Sequence, residues 1–256
     1  KFQVWENSNF APELQQKYPN IRAYVGRSIS NKTTTINFSL SPRGIQTMIL
    51  KADNNSEFIE PASREGELYI LFDSKTRVSE KLSFVCKTID KKINQDVLNR
   101  TQLTSRANNQ SYKTLRLALS CTGEYGAYFG GKEAALAAMN ATMTRVNGIF
   151  EKDLAVHLNI IANNDLVIYT NANSDPYSNA STGSEGDWNS ELQNNLTNVL
   201  GNEVYDIGHL FGASGGGGNA GCIGCVCDDV DGINSETKGS GFTSPTDDVP
   251  EGDSFD

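Results

Sequence analysis

The sequence has no apolar run approaching the length of a membrane span, so it offers no candidate transmembrane helix. It also has no stripe rich in lysine and arginine. Twenty-two basic residues stand against 31 acidic ones, a formal net charge of −9. Binding nucleic acid needs clustered cations to neutralise phosphates, so nucleic acid is not an expected partner. Histidine is scarce, with His157 and His209 alone among 256 residues. Cysteine is sparse and odd in number, at five. In an oxidising compartment that leaves one thiol without a mate in this chain. The chain opens at Lys1 without a methionine or a signal peptide, and so reads as a processed or excised piece.

What is abundant is Asn, Ser and Thr. Eight Asn-x-Ser/Thr triplets occur, at Asn31, Asn37, Asn54, Asn99, Asn109, Asn140, Asn179 and Asn195. In an Asn-rich chain such triplets arise by chance, and they are read so here.

Two halves differ in pattern. Residues 1–100 are β-rich. "TTTINFSLS", "IQTMIL" and "ELYILF" are short strand-like runs, and "SPRG" and "ADNNSEF" are turns between them. The spacing predicts a meander of short strands, a small sandwich or barrel. Residues 101–111 close a polar stretch without period and read as a linker. Residues 112–256 are α/β. "TLRLALS" sets Leu115, Leu117 and Leu119 at period two. Leu136, Met139, Met143, Val146 and Phe150 then fall three or four apart, on one face of a long helix. "AVHLNIIA" follows as a strand, completing a βαβ unit whose strands must run parallel. "DLVIYT" is a candidate extension of the sheet. Asp187 and Gly201 bracket a shorter helix with Trp188, Leu192, Leu196 and Val199 apolar, and "VYDIGHLF" is the next strand.

The stretch "YDIGHLFGASGGGGNAGCIGCVC" gathers one histidine, three cysteines and a glycine run. A phosphate loop would need GxGxxG or GxxxxGK[ST] before a helix, and neither is present. A redox CxxC opens a helix, whereas Cys222 and Cys225 lie among strand-forming residues. A zinc site from His209, Cys222, Cys225 and Cys227 would need a turn to bring the thiols to one side, and no second CxxC completes a ribbon. The remaining reading is a strand, a glycine turn and an edge strand, with Cys225 or Cys227 in a disulfide.

Three separated phrases, in order, resemble one family. "LRLALSCTGEYGAYFGGKEAALAAMNATMTRVNGIFEKDLAVHLNIIANNDLVIYT", "YDIGHLFGASGGGGNAGCIGCVC" and "KGSGFTSP…DSFD" look like secreted bacterial zinc metallopeptidases of the reprolysin-like metzincin class, of the Bacteroidetes type. The likeness is strong over 112–256, and residues 1–100 are similar to the pro-region of the same proteins. It implies a secreted, extracellular endopeptidase made as a zymogen, acting on protein or peptide substrates. In the family a phrase like "GDSFD" leads into HExxHxxGxxH, which binds zinc and carries the general base. Neither histidine here sits in that motif, so the zinc ligands are expected beyond Asp256 and the chain alone is expected to be inactive.

The resemblance also implies site residues. "AGCIGCVC" maps onto the antiparallel edge strand that takes substrate, which makes Gly221, Cys222, Ile223 and Gly224 the expected substrate contacts. The pro-region is expected to cover the cleft, with Cys86 as a metal-binding thiol that silences the zymogen. A buried thiol or a disulfide to Cys121 is the plainer reading of Cys86. Arg100 and Arg106 are candidate activation cleavage points. The acidic residues Asp228, Asp229 and Asp231 could take calcium, or form a solvated loop. The rival function is a non-catalytic extracellular peptide-binding module or pseudoenzyme. A structural zinc protein built on the cysteines is the third.

Overall fold

The computed structural model describes residues 1–53, 55–63, 68–75, 86, 88, 111–230, 236–252 and 255. Six strands form the N-terminal sheet: β1 (Phe2–Glu6), β2 (Arg22–Ser28), β3 (Thr35–Ser41), β4 (Gly44–Leu50), β5 (Ser56–Pro61) and β6 (Tyr69–Asp73). They pair antiparallel in chain order, with Phe38 opposite Thr47 and Ile49 opposite both Ile36 and Glu57. The expected meander is therefore present. It is a single open sheet rather than a sandwich or barrel, because its second layer is a helix from the other half of the chain. A short helix, α1 (Pro12–Lys17), interrupts the sheet between β1 and β2, with Pro12 at its first turn.

The second half contains β7 (Lys113–Cys121), α2 (Gly123–Phe129), α3 (Lys132–Leu154) and β8 (Val156–Ile160). β7 and β8 run parallel, as the βαβ reading requires. α2 starts where the Thr122 hydroxyl accepts the Tyr125 N–H, and stops at Gly130 in the left-handed region. α4 (Trp188–Val199) buries Trp188, Leu192 and Leu196, and leaves Val199 exposed. β9 (Ile207–Phe211) lies parallel to β7 on its other side. β11 (Gly241–Thr243) is parallel to β9, and β10 (Gly218–Asn219) is the antiparallel edge. The sheet order is β10-β11-β9-β7-β8.

"DLVIYT" does not extend the sheet as a strand. Residues Asn164–Val167 form a 3₁₀ turn, and only Ile168 bridges Cys121. The cause is Asn164, which is fully buried. Its carboxamide accepts the Leu119 N–H at 2.7 Å and donates to the Leu119 carbonyl at 2.8 Å. One side chain thus does what a neighbouring strand would have done for β7.

α3 is buried on more than its apolar face. Leu136, Met139 and Met143 pack into the cluster that holds Leu117, Leu119 and Ile160. On its polar side Asn140, Thr144, Arg145 and Asn147 are buried too. There the N-terminal sheet sits on the helix. A Cβ at Gly148 would lie 2.6 Å from Asn37 Nδ2 and 2.9 Å from the Met48 methyl, so this close approach requires glycine. Arg145 donates to Glu60 at 2.5 Å and lies over the Phe58 ring at 5.1 Å. Arg43, at the rim, pairs with Glu251 and lies over Phe129 at 4.4 Å, beside a cleft of about 500 Å³ between the two layers. No helix among the described residues is long and apolar enough to cross a membrane.

Candidate functional site

The site is built on the β10 edge. After β9 the chain must reverse, and Gly215, Gly216 and Gly217 do this with φ of +95°, +77° and +82°. β10 then runs back beside β11. Its register pairs Gly218 with Thr243 and Asn219 with Phe242. Phe242 is pinned from below by an edge-to-face contact with Trp188 at 5.3 Å. Asn189 of α4 donates to the Asn219 and Ser240 carbonyls, tying the end of β10 to the helix layer.

The expected edge strand is displaced. Residues 221–227 are turns rather than a strand, and the edge is two residues long at Gly218–Asn219. Gly221 and Gly224 take φ of +61° and +79°, and Cys227 takes +67°, which a β-strand does not tolerate. Cys222 and Cys225 close this turn with a disulfide. The expectation that Cys225 or Cys227 is bridged is met by Cys225, with Cys222 as its mate. Ile223 and Val226 project outward, both close to half exposed. Gly221, Cys222, Ile223 and Gly224 thus form a looped rim beside the edge.

Cys86 comes to this same edge. It forms a parallel bridge with Gly218, and the Ala220 N–H donates to the Thr88 hydroxyl at 2.9 Å. Cys86 is exposed and makes no disulfide with Cys121. Cys121 is buried beneath the sheet, where its thiol faces the Tyr169 carbonyl and burial pushes it up to about 12. Burial also raises the Cys227 thiol, with the Asp206 carboxylate adding to the effect.

Both histidines are already engaged. His157 is buried between the Glu151 carboxylate at 2.6 Å and the Ser8 carbonyl at 3.2 Å. His209 Nε2 meets the Thr243 hydroxyl at 2.9 Å, and its Nδ1 faces Gly241. Burial drops the His209 pKa to about 4, so the ring is neutral at pH 7. Among the described residues no three His, Cys, Asp or Glu side chains gather to hold a metal ion. Among the described residues the cysteine stretch therefore offers zinc no ligand set. Of the acidic residues considered for calcium, Asp229 pairs with the buried Lys238, and Asp231 lies outside the described residues, as do Arg100 and Arg106.

Reading the sequence alone missed Gly218, Asn219 and Thr88 as edge residues. The glycine run was the available signal, since positive φ at Gly215, Gly216 and Gly217 reverses the chain so that the return starts at Gly218, two residues before the stretch expected as the edge.

Residues 111–256, more than half of the chain, match the family model for metallo-peptidase family M12B, reprolysin-like, and the chain belongs to that family. Its class of chemistry is peptide hydrolysis. No curated protein gives a sequence match.

Proposed function

We propose that the chain belongs to a secreted, zinc-dependent endopeptidase in its latent form, with its own N-terminal region lying along the edge that takes substrate. The observation that carries this is the placement of Cys86 and Thr88 against Gly218 and Ala220. An extended peptide joins a sheet edge through main-chain hydrogen bonds, which tolerate many sequences. A segment already using those groups excludes a substrate from them. Zinc is the family's metal, and when bound it would polarise the scissile carbonyl. The described residues do not hold it, so no step is assigned through it. What they do is bind and orient. β10 offers backbone groups, and the rim at Gly221, Cys222, Ile223 and Gly224 presents one apolar side chain beside them. Cys86 is the thiol of the covering segment.

The test uses the protein as its gene encodes it, with whatever follows Asp256. Quenched fluorescent peptides are assayed before and after limited trypsin treatment. Activity that appears only after the cut and vanishes with 1,10-phenanthroline supports the reading. No hydrolysis in either state, together with saturable binding of the same peptides, would favour the non-catalytic peptide-binding module.

A further inference from the structure

We infer that residues 7–21, which precede the matched region by some ninety positions, are a permanent part of the fold that carries the site, so that a cut between 89 and 110 leaves two pieces in one noncovalent complex. These residues continue the five-stranded sheet past β8. Phe10 bridges Ile160 in parallel, the Ile160 N–H donates to the Asn9 carbonyl at 2.7 Å, and the Ala11 N–H donates to the Ile160 carbonyl at 2.8 Å. The segment therefore acts as one more row of the same sheet.

Its side chains are core. Phe10, Leu14 and Ile21 are 3%, 0% and 0% exposed, in the same cluster as Leu117, Leu119, Leu136, Met139 and Ile160. Removing them would open a cavity under β7 and β8. Polar groups are matched as closely. Asn9 Nδ2 donates to the Asn140 carboxamide oxygen at 3.0 Å and the Thr144 hydroxyl at 2.8 Å, and its own oxygen accepts from Asn147 at 2.9 Å. Asn140 donates to the Arg22 carbonyl at 3.0 Å. Each of these groups would be left buried and unpaired, or newly exposed, if the two regions parted.

The N-terminal region therefore touches both borders of the sheet, in unequal ways. At β8 it is buried, apolar and bonded at many points. At β10 the described contact is a bridge from the exposed Cys86 to the buried Gly218 and one side-chain hydrogen bond from the exposed Ala220 to the half-buried Thr88. The partner of the 111–256 region after cleavage is thus its own N-terminal fragment. This rests on the proposed function only in taking residues 86 and 88 as the covering segment, since association is read by mass and not by activity.

The experiment places a specific protease site between residues 100 and 106 of the full chain. The nick is verified on a denaturing gel, and the product is run on size exclusion at micromolar concentration. The expected result is one peak at the intact mass, resolving into two fragments only in denaturant. Phe10→Ala should weaken the nicked complex by about a hundredfold or more, so that dilution separates the pieces. Should Phe10→Ala fail to fold, Asn9→Ala serves, with a smaller weakening in the same direction. Lys51→Ala, whose ion pair with Glu57 lies wholly within the N-terminal sheet, should leave association nearly unchanged. Separation of the nicked wild-type fragments at micromolar concentration in native buffer would overturn the inference.

Discussion

Asn147→Ala on α3 puts the buried polar face of that helix to a quantitative test. Asn147 is 1% exposed. Its amide donates to Asn9 Oδ1 and to the Leu158 carbonyl, each at 2.9 Å, and its oxygen accepts the Leu158 N–H at 2.9 Å. Alanine removes all three partners at once. Each orphaned buried group costs about 1–3 kcal/mol, while the gain in helix propensity is only about 0.5 kcal/mol. The net loss is about 2.5 kcal/mol, taking the low end for each group. For a chain of this size that corresponds to roughly 5–10 °C in unfolding temperature. Denaturant unfolding followed by tryptophan fluorescence measures it, because Trp188 is buried and reports loss of the second-half core. A double cycle with Asn9→Ala should show coupling of about 0.5–3 kcal/mol, since the two carboxamides share a bond. The control is Lys152→Ala near the end of the same helix, expected within about 0.5 kcal/mol of wild type. An Asn147→Ala loss no larger than that control would refute the reasoning, because the helix face would then behave as if it met water.

Three more outcomes follow. In the protein carrying its full coding sequence, Cys86→Ala should raise peptide hydrolysis before any proteolytic cut, and unchanged latency would remove Cys86 from the covering role. Thr88→Val deletes the acceptor for the Ala220 N–H, so hydrogen exchange at Ala220 should quicken while the unfolding midpoint stays within about 0.5 kcal/mol. His209 is held neutral by burial, with its pKa near 4 against an unfolded value of about 6.5. The unfolded chain therefore binds the extra proton between these values, and stability is full above pH 6.5 and falls as pH drops towards 4. The loss is on the order of 2–3 kcal/mol. His209→Gln should flatten that part of the stability profile, and an unaltered profile would assign the acid sensitivity elsewhere.

The parts of the fold that were legible in the sequence are those where one period governs a whole element. Leu115, Leu117 and Leu119 alternate and form β7, while Leu136, Met139 and Met143 recur at helical spacing and face the core. The meander of the first half was legible for the same reason. The packing of that sheet on α3 was not, because Asn140, Thr144 and Asn147 have the chemistry of a solvent face. Only their partners, more than a hundred residues away at Asn9 and Arg22, turn that face into an interior. The same burial disposes of the glycosylation-like triplets at Asn37 and Asn140, and Asn195 is enclosed on α4 beside Tyr169 and Tyr177. Within the site, the strand-forming residues around Cys222 and Cys225 suggested a strand, but local geometry prevailed, with positive φ at Gly221, Gly224 and Cys227. The convergence of Cys86 with Gly218 is a long-range contact, which no local pattern encodes.

A β-sheet with a bare border is a template on which another chain can polymerise. The five-stranded sheet of the second half meets the N-terminal region at both ends, Phe10 against Ile160 and Cys86 against Gly218. In the folded chain each border is thus already met by a segment of the same molecule. The N-terminal region in this sense works as a built-in guard against fibre-like self-association, before any question of catalysis arises.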